Sequence, residues 1–549
     1  MQAPRWGPPI ARPPSNLRWL GCLLLLPAAV LWLLALVLPT LTTLVQSLER
    51  SGALGIHPGA FVGFANWGSL ARDREFWHAL GLSLGVAALR VVAAGLVPPA
   101  LALGAALLVR AFGRDLGMVA RVLLALPLAI VAPVPVAVTW LLWLISQHAG
   151  LGGGGAVLLL LFVEAISSLA WACGLALFTY VAALRAVPGL PITPQLRRRP
   201  FVVLWAATLL GAGASGLQSF VLPSLLTSGG PGDATTTLSL LGFRLGFQTV
   251  NRGAAQAVAV VQLVPVLALG LCAGGLVLAG PLHLVVRAGA GRESRRSPLW
   301  GAGTLILLAI LLAVVLLAGG GADYRGALRE MPPYGSTMSA TLLPPLAAAV
   351  LLLVVVTPAA FGLGFLRPLG GASGWLLLPF CPWLFVGSPP LLLTAYLASR
   401  GRGLGVLAGL LPVLPLAVPS LLVLTLLFGG LRRAWEAGRG ANRRAWFRDA
   451  VAAPALPVVG VLLGAAWMIG AQSYGWPLVT QTSGRSASYT LVLTALPIAV
   501  FRPGVLRAAL ALYGAPLALL FFCVLGAYQA FFGERLALES DQAPATPYR

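Results

Sequence analysis

Twelve long apolar runs alternate with short polar segments along the chain. A helix needs about 20 apolar residues to cross the ~30 Å hydrocarbon core of a bilayer. Runs of that kind lie near 18–46, 79–109, 117–145, 156–184, 201–226 and 254–286. A second set follows near 299–319, 339–366, 374–398, 405–431, 450–473 and 504–532, with a shorter apolar stretch at 488–501. The pattern predicts an all-α polytopic membrane protein of about twelve transmembrane helices. The first run follows Arg5 and Arg12 and lasts about 30 residues. A cleavable signal peptide has an apolar core of only about 7–15 residues, so this run is expected to remain as an anchor.

The polar segments divide the runs into six and six. Each set has a long arginine-rich segment between its fourth and fifth runs, at 185–200 and at 432–449, about 247 residues apart. Between the sets lies Arg287–Pro298, with the composition of a solvated linker. The expected organisation is two six-span pseudo-repeats, 1–290 and 299–549, joined by a cytoplasmic linker at 291–298. Repeated halves are common in transporters, which place the substrate path between them. With the N-terminus inside, 23 of the 36 basic residues fall in inner segments and 11 in outer ones. By the positive-inside rule, both termini are expected in the cytoplasm.

Composition narrows the function. Only 9% of the 549 residues are charged and mean hydropathy is +0.92, against roughly 25% charged residues in soluble proteins. The net charge of +22 comes from short arginine clusters between apolar runs and forms no face that could track nucleic acid. Every basic residue is arginine. A nucleotide-binding P-loop needs its lysine on the phosphates, so no ATP site of that kind is expected on this chain. Cys22, Cys173, Cys272, Cys381 and Cys523 lie inside apolar runs, and His57, His78, His148 and His283 are scattered. Neither set suggests metal binding or nucleophilic chemistry. No catalytic, cofactor or metal residue is expected, and the chain is not expected to be an enzyme.

The most specific polar stretch is Gly229-Gly230-Pro231-Gly232-Asp233-Ala234-Thr235, followed by Phe243-Arg244 and then Arg252-Gly253-Ala254-Ala255-Gln256-Ala257. Earlier come Phe61-Val62-Gly63-Phe64-Ala65-Asn66-Trp67, Asp73-Arg74-Glu75-Phe76-Trp77-His78, and Tyr180 to Pro188. Along most of its length the first half resembles the sugar-type, binding-protein-dependent permeases of ABC importers. In the second half, Gly475-Trp476-Pro477-Leu478 followed by Tyr489-Thr490-Leu491 looks like the outer segment of the partner permease in that family. The resemblance implies a bacterial cytoplasmic (inner) membrane protein, two permease units fused in one chain, moving a small solute, most readily a carbohydrate. It implies an extracytoplasmic solute-binding protein that delivers solute to outer loops carrying Gly229, Gly230, Pro231, Asp233, Thr235, Trp476 and Pro477. It also implies cytoplasmic ABC ATPase subunits that bind ATP and magnesium and press on coupling loops with Arg185, Pro188, Arg197, Arg198, Arg199, Glu436 and Gly440.

The coupling loops depart from the family pattern of Glu-Ala-Ala followed by Gly. Trp435-Glu436-Ala437-Gly438-Arg439-Gly440 keeps part of it, whereas Gly189 to Leu196 has neither the Glu nor the later Gly and carries Pro191 and Pro194. The expectation is a helical second element with Glu436 near its start and an extended or irregular first element at 189–196. Two other readings stay open: a permease for iron, thiamine, polyamine or another solute, and a non-transporting membrane scaffold.

Two charges fall inside predicted spans. Arg90 lies about eleven residues into the second run and Glu164 about eight into the fourth, depths of ~16 and ~12 Å at 1.5 Å per residue. A lone charge there costs at least ~2.5 kcal/mol, so Arg90 and Glu164 are expected to form a pair or share a polar cavity.

Overall fold

A computed structural model describes residues 15–50, 60–112, 114–130, 132–146, 152–184, 194–280, 282–286, 296–317, 321–400, 409–437, 447–481, 487–495 and 502–540. Helix dominates for a physical reason: without water in the hydrocarbon core, a spanning segment must satisfy its backbone polar groups internally. Among the described residues, nine helices are long and apolar enough to cross a membrane: Trp19–Ser47, Arg74–Ala105, Gly153–Gly174, Pro200–Leu226, Arg252–Ala279, Tyr334–Leu366, Leu414–Glu436, Arg448–Ala471 and Pro503–Phe531. Two further spans are broken: Leu116–Ala129 with Pro133–Leu142, bent by 71°, and Gly370–Phe385 with Pro389–Arg400, bent by 86°. A shorter apolar helix, Gly301–Val314, lies in the seventh predicted run. The protein is an all-α polytopic membrane protein, and these elements fall in the twelve apolar runs of the sequence.

The structure departs from the expected boundaries in two ways. The third and ninth spans are not continuous, because Pro133 and the Pro389-Pro390 pair lack the N–H that would carry a helix through and clash with the preceding turn. The sixth helix ends at Ala279, before the Gly280-Pro281 dipeptide. Residues Leu282–Val286 then form a strand, antiparallel to Leu536–Ser540, with Leu284 opposite Leu538.

Local geometry recurs in the two halves. A short helix precedes the second span in each, Ala65–Arg72 and Tyr324–Glu330. The third span is broken in each. After the fifth span come the short helices Val221–Leu226 and Gly475–Thr480, whose first residues are 254 apart. A second pair follows, Leu238–Phe243 and Tyr489–Ala495. The N–H of Leu238 donates to Ser83 Oγ at 2.9 Å, and that of Tyr489 to Thr341 Oγ1 at 2.9 Å. Thr237 Oγ1 donates to the Ser219 carbonyl at 2.8 Å, and Thr490 Oγ1 to the Ser473 carbonyl at 3.0 Å. In both halves a hydroxyl from the second span thus anchors a short helix whose threonine ties back to the end of the fifth.

The two halves interlock. The largest buried cluster joins Leu217, Leu263 and Val266 to Leu352, Leu384 and Leu421. Gly270 of the sixth span permits close approach of the ninth, since a Cβ there would lie 2.5 Å from the Pro382 carbonyl oxygen.

Candidate functional site

The outer loop of the first half is built around Arg244. Its Nη1 donates to Asp233 Oδ1 at 2.6 Å and to Glu75 Oε1 and Thr236 Oγ1 at 3.3 Å, and its Nη2 to the Ser228 carbonyl at 2.5 Å. One guanidinium therefore joins both ends of the Gly-Gly-Pro-Gly turn to the start of the second span. Gly229 has φ +82°, and an added Cβ would lie 2.5 Å from Arg244 Nη2, so backbone conformation and space both require glycine. Thr235 closes the turn: its N–H donates to the Gly229 carbonyl at 3.0 Å, its hydroxyl to the Gly230 carbonyl at 3.1 Å, and it also bonds the Thr227 hydroxyl. The Ala234 N–H donates to the Pro231 carbonyl at 3.1 Å. His78 Nε2 lies 3.0 Å from the Ala234 carbonyl oxygen. Asn66 of the earlier motif donates to the Ser47 and Glu49 carbonyls at 2.9 Å, which fixes the chain leaving the first span.

Immediately beneath this loop the halves meet through aromatic rings. Phe220 stacks on Tyr474 at a centroid distance of 6.0 Å, and these residues are 254 positions apart. The contacts continue through Phe220–Phe243 at 5.3 Å, Phe243–Phe247 at 5.1 Å and Phe247–Tyr396 at 5.3 Å. Trp476 packs against the large core and Pro477 is buried in the short helix Gly475–Thr480.

A cavity of about 20 Å³ lies against these rings, bordered by Phe220, Ser239, Phe243, Phe247, Gln256 and Gln262. That volume admits about one water, so the interface is closed in this conformation. Gln262 Nε2 donates to the Leu217 carbonyl at 2.5 Å and to Ser239 Oγ at 2.7 Å. Gln256 Nε2 donates to Gln46 Oε1 at 2.8 Å and to Thr394 Oγ1 at 2.9 Å, linking the sixth, first and ninth spans. Gln256 is fully buried, and its Oε1 has no partner among the described residues. A buried carbonyl oxygen left unpaired costs about 1–3 kcal/mol, and this one is an open hydrogen-bond acceptor at a cavity lined by aromatic rings. Gln256 stands in the Arg252–Ala257 motif of the family resemblance without a role of its own there, and Gln262 lies outside that motif. The available signal was a carboxamide on a helix of alanine, valine and leucine.

The structure brings Arg90 and Glu164 together. Arg90 Nε and Nη2 donate to Glu164 Oε2 at 3.1 and 2.6 Å, and Arg90 Nη1 donates to Ser215 Oγ at 3.2 Å. Ser219 Oγ donates to Glu164 Oε1. The Glu164 side chain is fully buried and that of Arg90 is 16% exposed. Gln218 reads the break in the ninth span: its Nε2 donates to the Phe385 carbonyl at 2.9 Å and its Oε1 accepts from the Gly387 N–H at 2.6 Å. The end of the fifth span thus joins the ion pair of one half to the broken span of the other.

On the arginine-rich side, Arg185, Pro188 and Gly440 lie outside the described residues. Arg197, Arg198 and Arg199 lie within the helix Pro194–Leu217. The expected irregular element is therefore helical from Pro194 onward, because proline is accommodated in a first helical turn. Glu436 is in the last turn of Ala417–Ala437, not near a helix start. Arg432, one turn earlier, donates through Nε to Glu436 Oε1 at 2.6 Å. Arg432 also donates to the Phe365 carbonyl at 2.9 Å. Arg367, just beyond the eighth span at φ +52°, has its pKa lowered by burial and then by Arg432 and Arg433.

No protein-family model matches the chain. It is 27% identical over 286 residues to the sulfoquinovosyl glycerol transport system permease protein SmoG of Agrobacterium fabrum, covering 46% of this chain and 88% of that protein. It is 31% identical over 277 residues to the probable ABC transporter permease protein y4oQ of Sinorhizobium fredii, covering 44% of this chain and 85% of that one. With identity at that level held across most of a permease, the chain belongs to the permease family of ABC transporters.

Proposed function

We propose that the chain is the membrane channel of a bacterial ABC importer, two permease units fused in one polypeptide. An extracytoplasmic binding protein delivers a small solute to the outer loops, and separate ATPase subunits, holding ATP and magnesium, drive the halves from the arginine-rich side. Both termini lie in the cytoplasm. The observation that carries this reading is a matched count: most of one permease aligns with under half of this chain, and the anchoring of the outer short helices occurs twice. A hydroxyl-rich solute of the carbohydrate class suits the unpaired Gln256 Oε1 beside Phe220, Phe243 and Phe247. The sulfoquinovosyl glycerol transport system for which one relative is named supports the same class.

The test is reconstitution of the full chain in proteoliposomes with candidate ABC ATPase and solute-binding proteins from the same organism. Solute-loaded binding protein should raise ATP hydrolysis at least several-fold and drive uptake of labelled glycosides. Stimulation by iron-, thiamine- or polyamine-loaded protein instead would move the solute class. No stimulation with any partner would leave the scaffold reading.

A further inference from the structure

The strand pair on the arginine-rich side has no role in the transport scheme above. Leu282–Val286 leaves the sixth span of the first half and Leu536–Ser540 leaves the twelfth span of the second. They pair antiparallel through five register pairs centred on Leu284 and Leu538, again 254 positions apart. Two equivalent strands paired antiparallel about their central residues are related by a local two-fold axis. Phe220 and Tyr474 make the corresponding contact near the other face. The interface between the halves is thus bridged near both ends by residue pairs with the same 254-position offset, rings on one side and backbone on the other.

An isolated two-stranded ribbon is marginal in water, and this one is packed crosswise. Leu282–Val286 lies on the helix Ala417–Ala437 of the opposite half, so closely that a Cβ on Gly430 would strike the Leu284 carbonyl. Leu536–Ser540 lies on Gly153–Leu184 and Pro194–Leu217 of the first half. Those three helices lead directly into segments 185–193 and 438–446, the proposed ATPase contacts. Movement of either segment therefore reaches a strand through one packed helix. Leu282, Val285 and Ala537 are buried, so parting the strands also uncovers apolar surface.

We propose that the strand pair 282–286/536–540 is a latch that closes the inter-half interface on the arginine-rich side and must part for that side to open. This rests on the two-unit transport reading. The full chain, with its five native cysteines replaced, would carry Leu284→Cys and Leu538→Cys. Directly opposed residues have Cβ atoms about 4.5–5.5 Å apart, near enough for an oxidant to link them with a small backbone adjustment. In the reconstituted complex, oxidation should yield the linked peptide by mass spectrometry and lower solute uptake at least tenfold. Dithiothreitol should restore uptake, and either single cysteine should be insensitive to oxidant. A linked complex that transports at the reduced rate overturns the latch, as does a pair that does not link. If the unmodified complex transports nothing with any partner, the function proposed above fails, and hydrogen exchange on the full chain in lipid nanodiscs still decides the latch. Protection of the amides in both strands by roughly 100-fold or more, lost from 282–286 when residues 536–549 are removed, supports it. Unprotected amides in the full chain overturn it.

Discussion

Replacing either member of the Arg90–Glu164 pair should damage the protein far more than replacing both. Glu164 accepts two hydrogen bonds from one guanidinium and a third from Ser219, with its side chain wholly buried. Arg90→Met leaves that carboxylate without its cation, and Glu164→Leu leaves the guanidinium with only Ser215 Oγ. Breaking a buried pair from one side costs about 3–5 kcal/mol. The double replacement removes both desolvated charges and strands only the Ser219 hydroxyl, at about 1 kcal/mol, since Ser215 Oγ still donates to the Ala212 carbonyl at 2.9 Å. The interaction energy of the double-mutant cycle should therefore be at least about 3 kcal/mol. The assay is reversible unfolding in mixed detergent–dodecyl sulfate micelles, followed by tryptophan fluorescence on all four proteins. Additivity within about 0.5 kcal/mol would show that the contact carries no coupling and would refute the reasoning. Glu164→Gln keeps a Ser219 acceptor but not the charge, so it should lower the yield of folded protein while leaving the order of preferred solutes unchanged.

Gln256→Ala should lower solute uptake by about tenfold, the value of one hydrogen bond in a desolvated site, while ATP hydrolysis continues; unchanged uptake would exclude this carboxamide from solute contact. Gly229→Val should force Arg244 out of the outer turn and speed tryptic cleavage after Arg244 or Arg252, read by mass spectrometry; cleavage at the parent rate would mean the turn absorbs the side chain. Burial raises the pKa of both Tyr474 and Tyr489. A group with a raised folded pKa stabilises fully below its unfolded pKa, about 10 for tyrosine, and loses that contribution as pH climbs through the folded value. With no lysine titrating in that range, stability should fall above about pH 10, and Tyr489→Phe should move the alkaline midpoint upward; an unmoved midpoint would place the lability elsewhere.

The spans were legible because burial in lipid demands long uninterrupted apolar runs, and sequence shows those directly. The Arg90–Glu164 contact was legible from depth alone, since two opposite charges at similar levels have few other places to go. Ser219 and Gln218, which complete that region, were not: a serine or glutamine at a helix end shows its partner only once the neighbouring helices are placed. The strand Leu282–Val286 was hidden by its own composition, for Leu, Val and Val after a glycine–proline dipeptide read equally well as the tail of a span. The Pro389-Pro390 break was visible as a dipeptide, but the 86° bend needed the Gln218 carboxamide to satisfy the exposed Phe385 and Gly387 backbone groups. The family pattern puts Glu436 near a helix start, whereas the apolar run ahead of it carries the helix Ala417–Ala437 through that position, with Arg432 one turn earlier as its partner.

The local geometry that recurs in the two halves is not matched by recurring chemistry, and the difference points to a division of labour. The first half holds Arg90, Glu164, Gln218, Gln256 and Gln262 within or at the ends of its spans. At corresponding depth in the second half, the buried polar residues among those described are hydroxyls: Thr337, Thr341, Ser420 and Thr425. Thr341 and Thr425 donate to the carbonyl one turn back on their own helices, which leaves them only an acceptor to offer, and Thr341 offers it to the Tyr489 N–H. Carboxamides and charges are costly in lipid unless paired, so a half that carries these five, with Gln46 and the buried Arg121 besides, is holding them for contacts that matter. Three of the five reach beyond a single helix pair: Gln218 to the ninth span, Gln256 to the first and ninth, and Gln262 to both the fifth span and the outer short helix. The broken ninth span of the second half is therefore positioned by side chains of the first. A shift of that span would disturb Gln218 and Gln256 together, and so change the lining of the cavity beside Phe220. In the transport cycle we propose, the solute-facing chemistry lies in the first half and one moving wall in the second, an arrangement that two identical units could not provide.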